Sequence, residues 1–214
     1  MFRVRTIAVL VASTALLLSG CGAGHPGVAA TVGSDQITVR QVDDLAGALC
    51  LASGPAQPTI QARNTALDVL IVSQLSNSFG TAQNASYDTA RLDSELTSAA
   101  SMIQAADESY RSTFQEIIQD YVVGQLMLID LGSKSLIAQG QTPTDSTSQT
   151  AGMQLMLAAG IPVTVDPRFG TWKNGAVVLG DGSLSVPVSS SAVAAADTSS
   201  SGYADSLPAF GKCG

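Results

Sequence analysis

The chain of 214 residues has one histidine, one tryptophan and only ten Lys and Arg, and each shortage removes a class of function. His25, the only imidazole, lies in Gly-Ala-Gly-His-Pro-Gly, residues 22–27, a run of small turn formers that makes a spacer rather than a pocket wall. With no second histidine, Ser/His/Asp and Cys/His nucleophile arrangements have no support, and neither do His/Cys transition-metal sites. Gly170, Gly175, Gly180 and Gly182 are scattered around turns with no Lys-Ser or Lys-Thr behind them, so no phosphate cradle is expected. Carboxylates occur as sequence neighbours at Asp43 and Asp44, Asp93 and Glu95, Asp107 and Glu108, and Glu116 and Asp120. All of these fall in helical stretches, where a solvated polar face is the expected role. The expectation is therefore no catalytic residue, no metal and no cofactor, and the chain shows no internal repeat.

What the sequence does have begins at its first residues. Behind Arg3 and Arg5, the uncharged run from Ile7 to Leu18 has the length of a signal-peptide core and is too short to span a bilayer comfortably. Leu18-Ser19-Gly20-Cys21 follows directly. It resembles the lipobox read by prolipoprotein diacylglyceryl transferase and lipoprotein signal peptidase. This implies a signal peptide over residues 1–20, a lipid on Cys21, and a lipid-anchored spacer over residues 21–27 that tethers the domain to the extracytoplasmic face of the cell membrane. An ordinary secretory signal or an uncleaved anchor is the alternative, and either leaves the domain outside the cell. Taking residues 1–20 from 214 leaves 194, with eight Lys and Arg against 17 Asp and Glu, a balance of −9. So acidic a surface disfavours nucleic acid and anionic headgroups as partners. Cys50 and Cys213 remain as an even pair in an oxidising compartment, and a disulfide between them is expected, with two independent thiols as the alternative.

Along the chain, Val28 to Val32 is β-prone, Gly33-Ser34-Asp35 is turn chemistry, and Gln36 to Thr38 is extended again. Thr38-Val39-Arg40-Gln41 fits a capping box at the head of a first helix that runs through Val42, Leu45, Ala46 and Leu49 to Cys50. A second helix is expected from Thr59, with Leu67, Leu70, Ile71, Leu75 and Phe79 as its stripe and Gly80 closing it. The third is placed at Ser86 to Ala105 on Leu92, Leu96, Ala99 and Ile103. The fourth, Ser109 to Gln139, carries Tyr110, Phe114, Ile117, Ile118, Tyr121, Gln125, Leu128 and Ile129. Gly124 and Gly132 argue against its being one unbroken rod. Gly140 to Thr150 is polar and contains Pro143, a connection and a capped start, and the short fifth helix that follows holds Met153, Met156 and Leu157 and stops at Gly160. Ile161 to Val165 alternates as a strand, Asp166 to Gly170 turns, and Ala176 to Leu179 is a further short strand. The Ser/Ala/Val-rich stretch from Ser183 to Ser201 reads as flexible tail.

Two segments, Ala30-Thr-Val-Gly-Ser-Asp-Gln-Ile-Thr38 and Val163-Thr-Val-Asp-Pro-Arg-Phe-Gly-Thr-Trp172, separated by helices and preceded by a lipobox, carry a family resemblance. The chain resembles the N-terminal chaperone domain of the SurA and PrsA group of extracytoplasmic folding factors, as found in small actinobacterial lipoproteins. The resemblance implies a mostly α fold, a helical bundle or arm with a small β element that pairs the N-terminal strand with the late one. It covers roughly residues 28–182, with residues 183–214 as a tail ending in the disulfide cysteine. Its partners are expected to be unfolded or newly exported polypeptides. Relatives commonly insert a parvulin-type isomerase before the late strand. Only about two dozen residues are available for it here, far short of a domain, so the chain is expected not to be an enzyme. Met127, Met153, Met156 and Trp172 are the peptide-binding candidates, since thioethers repack around varied clients, with core packing as their alternative. A structural or ligand-binding lipoprotein that keeps the fold, or a degenerate prolyl isomerase relative, are the other readings.

Overall fold

The structure, a computed structural model, describes residues 26–53, 57–178 and 207–213. The expectations for residues 1–25, including Cys21 and His25, and for the 183–201 tail lie outside these residues. The chain is mostly helical, with a small antiparallel sheet that joins its beginning to a late strand, in agreement with the sequence expectation. The strands β1 (Val28–Val32) and β2 (Asp35–Thr38) form a hairpin. Five helices follow: α1 (Val39–Ser53), α2 (Thr59–Ala82), α3 (Thr89–Ala105), α4 (Arg111–Ala138) and α5 (Asp145–Ala158). Then come β3 (Val163–Val165), β4 (Thr171–Lys173) and β5 (Ala176–Val178).

β1 is central in the order β2-β1-β3, and its pairing with β3 sets Ala30 opposite Val165, Thr31 opposite Thr164 and Val32 opposite Val163. The Thr38 capping box forms as expected. Gln41 N–H donates to Thr38 Oγ at 3.2 Å, and Thr38 N–H donates to Gln41 Oε1 at 2.8 Å. α3 starts three residues later than its stripe suggested, because the Asp88 carboxylate accepts from the Ala90 N–H at 2.9 Å and caps it there. α5 starts well before its methionines, at a second capping box between Thr144 and Thr147. β4 is an addition. Lys173 pairs with Ala176 across Asn174-Gly175, both with positive φ, the two-residue turn that suits the twist of a hairpin.

The largest departure from expectation concerns the glycines. α4 is one continuous helix through Gly124 and Gly132, and α2 continues past Gly80 to Ala82. At each of these positions another chain segment occupies the place of a side chain. A Cβ on Gly132 would overlap the Ser148 carbonyl oxygen and come within 2.6 Å of the Gly152 nitrogen, and one on Gly152 would overlap the Leu128 carbonyl. Gly124 faces Ser76 of α2, and a Cβ on Gly80 would meet Met127 Sδ at 2.5 Å. The backbones of α4 and α5 therefore touch, and α2 seats against α4 at Gly124. α4 is also long and apolar enough to cross a membrane by length and composition. In this fold it is the helix its neighbours pack around, with Phe114, Ile117, Leu126, Leu128 and Leu136 buried.

Two late segments of the described chain converge on α1 and α2. Cys50 of α1 is disulfide-bonded to Cys213, with Cα atoms 5.1 Å apart across a sequence separation of 163. Cys213 N–H also donates to Gln57 O at 2.8 Å, and Lys212 bridges to Pro58. The β4–β5 hairpin docks on α2 through Val177. Its N–H donates to the Asp68 carboxylate at 2.6 Å, and its carbonyl accepts from Asn64 at 3.4 Å. Burial pushes the Asp68 carboxyl above its ordinary value against the lowering effect of that Val177 bond.

Gly152→Ala should cost about 1–3 kcal/mol, the usual penalty for forcing atoms into a filled interior. Gly47→Ala on α1, where a Cβ meets nothing, should be neutral or stabilising by up to ~1 kcal/mol. Urea unfolding of the two variants measures the contrast, and equal midpoints would remove the close-approach argument. Replacing Cys213 by Ser should cost about 2–5 kcal/mol, the chain-entropy value for so long a loop lying near the upper end, and a thermal melt with and without reductant reads it.

Candidate functional site

Three helices leave an open groove on the face of α4 that the core does not use. From α4 it is lined by Tyr121, Val122, Gln125, Leu126, Ile129, Asp130 and Ser133. Positions three and four apart lie on one helical face. α3 contributes Asp88, Arg91 and, one turn on, Glu95, with Ser86 and Tyr87 ahead of them. The first turns of α5 contribute Asp145, Ser146 and Gln149, placed there by the Thr144 capping box. Two adjoining hollows of about 370 and 250 Å³ make up the groove, sharing Arg91, Leu126 and Ile129. The larger lies within the ordinary range of binding clefts.

Its polar groups are mostly partnered. Arg91 Nη2 lies 3.0 Å from Asp145 Oδ2, joining α3 to α5. Asp130 accepts from Lys134 Nζ at 2.6 Å and from the Ser86 N–H at 3.0 Å. Burial works to raise the Asp130 carboxyl, but the Lys134 and Ser86 bonds outweigh it and hold the group below its usual value. Gln125 is the exception. It is 8% exposed, its Oε1 accepts from Gln149 Nε2 at 2.7 Å, and its own Nε2 has no acceptor. A buried donor left unpaired costs about 1–3 kcal/mol, so an acceptor brought to this position gains what the free protein lacks.

Met127, Met153, Met156 and Trp172 do not line this groove. Met156 is 1% exposed and packs in the main core. Met153 and Trp172 are half-buried against the same core, and Met127 lies over Gly80. Arg168 forks onto Asp166, with Nε to Oδ1 at 3.0 Å and Nη2 to Oδ2 at 2.9 Å, and fixes the turn after β3. A second hollow of about 290 Å³ beside α1 is lined by Asp43, Asp44, Asp107 and Tyr110. Burial, then Asp44, pushes the Tyr110 hydroxyl up to about 12. Among the described residues no group of three or more His, Cys, Asp or Glu is placed to hold a metal ion.

The groove residues Arg91, Glu95 and Gln149 carry no motif. Gln125 did leave a trace, as the one amide in the apolar period of α4.

The Asp166 carboxyl is held below the usual carboxylate value, first by the Arg168 guanidinium and against some loss from burial. A depressed folded-state value adds stability that is present above the unfolded value and lost as pH falls through the folded one. Wild type should therefore lose stability as pH drops below about 4, and Asp166→Asn should flatten that part of the profile. Parallel acid titrations followed by circular dichroism test this, and superimposable curves would exclude it. Comparison of the chain with protein-family models, with curated proteins and with solved structures finds no match in any of the three.

Proposed function

We propose that this protein is a membrane-tethered, non-enzymatic chaperone-like domain of the SurA N-terminal kind that holds unfolded or newly exported polypeptide on the extracytoplasmic side of the membrane. The observation that carries the reading is the groove floor on α4, where Val122, Leu126 and Ile129 surround the half-satisfied amide of Gln125. Apolar side chains accept the apolar residues that an unfolded chain exposes, and the free amide N–H donates to one of its backbone carbonyls. Both are features of any polypeptide, so the groove does not demand one sequence.

The lipid expected on Cys21 supplies the address, and multiple acyl chains keep the domain at the bilayer surface. Capture there is reversible binding without nucleotide, cofactor or metal. The acidic chain argues against nucleic acid as a competing partner. The lone His25 and the short α4-to-β3 connection, filled by α5, argue against a parvulin-type isomerase.

The purified protein should suppress aggregation of a chemically unfolded protein in a light-scattering assay, and a photocrosslinker at Val122 should capture that client. Ile129→Asp, which puts a charge on the apolar floor, should weaken both by severalfold with the helical spectrum unchanged. Full aggregation in the presence of excess wild type, with no crosslink at Val122, would sink the reading.

A further inference from the structure

We infer that the groove selects an extended segment of about five residues that carries Lys or Arg beside apolar residues, an inference that rests on the polypeptide-binding reading above. Three observations converge on this occupant. The first is length. The α4 lining runs from Tyr121 to Ser133, and at 1.5 Å per residue that is roughly 18 Å. At about 3.3 Å per residue, extended chain of the same length holds about five residues.

The second is charge. Asp88, Glu95, Asp130 and Asp145 line the groove against Arg91, and Lys134 is paired to Asp130, so four carboxylates less two cations leave two negative charges. Arg91 is already held by Asp145, so it does not present a free positive charge to a ligand. Glu95 is exposed and stands on the same face of α3 as Arg91, one turn along. The excess of carboxylates attracts a basic side chain and repels an acidic one.

The third is the arrangement of apolar and polar groups across the width. Val122, Leu126 and Ile129 form the floor, while the carboxylates of α3 and α5 stand at the sides. Successive side chains of an extended segment point in opposite directions. An alternating apolar and basic segment therefore places its apolar residues on the floor and its cations at the rim. Gln125, more than nine-tenths buried and with Nε2 unpartnered, supplies the donor for a backbone carbonyl between them. Long basic side chains add their methylene stems to the apolar contact while the charged head stays wet.

The test is fluorescence anisotropy on the full protein in neutral detergent, with labelled heptapeptides that alternate Leu with Lys, Gln or Glu. The Leu/Lys peptide should bind about tenfold tighter than the Leu/Glu peptide, as two or three exposed ion pairs allow. The gap should narrow as ionic strength rises. Glu95→Lys, at an exposed position, should reduce the preference for Lys by severalfold, and Gln125→Leu should weaken all three peptides alike. Equal affinity for the three peptides, or a Glu95→Lys preference equal to wild type, overturns this inference and leaves polypeptide binding standing. Failure of every peptide to bind overturns both.

Discussion

The contact on which the architecture depends is backbone against backbone between α4 and α5. Gly132 and Gly152 each have the other helix where a Cβ would sit, so the two axes approach as closely as helices can. Such an approach leaves no freedom of rotation, because turning either helix brings a side chain into the seam. α2 is fixed on α4 in the same manner, through Gly124 under Ser76 and Gly80 under Met127. Ser76 is fully buried there and satisfies its hydroxyl within its own helix, on Val72 O at 2.7 Å. With both neighbours fixed, the rotation of α4 is fixed too. Leu128 and Phe114 are turned into the core, and Val122, Gln125 and Ile129 are left facing the groove.

This seam explains what the sequence revealed and what it concealed. Helical periodicity located all five helices, since one buried face repeats every three to four residues whatever it packs against. The glycines were misleading because their cost of roughly 1 kcal/mol is a property of an isolated helix. Close packing against α5 and α2 offsets that cost, and one sequence position cannot show what lies opposite. Thr144 and Thr147 form the capped start of α5 inside the polar stretch where one was expected, while Asn174-Gly175 carried the second hairpin unread. Both are local signals that the apolar pattern around them did not reinforce. The pairing of β1 with β3 was legible only through the family resemblance, because no local rule joins residues so far apart. The groove was not legible at all as a site. Its walls come from three helices whose separate sequences read as ordinary solvated faces.

The β4–β5 hairpin and the last described residues are tied to the helices by bonds of a different kind. α2 receives the β4–β5 hairpin through Asp68 and Asn64, and its entry at Gln57 and Pro58 receives the last described residues. The disulfide to Cys50 closes the same corner from α1. None of the residues that make these attachments lines the groove.

The walls of the groove are held with unequal strength, and that bears on how it would take its clients. α4 and α5 are fused at the glycine seam, so the floor and one side form a single rigid surface. α3 buries only Leu92 and Ile103 of its 17 residues, whereas α2 buries ten of 24. Its link to α5 is the Arg91–Asp145 pair, with side-chain exposures of 34% and 71%, and exposed pairs of this kind hold by less than about 1 kcal/mol. A rigid floor facing a weakly fastened wall accepts segments of different bulk at little cost, because widening the groove breaks few apolar contacts. The same weakness limits affinity, since work spent displacing α3 is subtracted from binding. In the proposed role modest affinity is an advantage, since a client held only by such a groove leaves by dissociation alone.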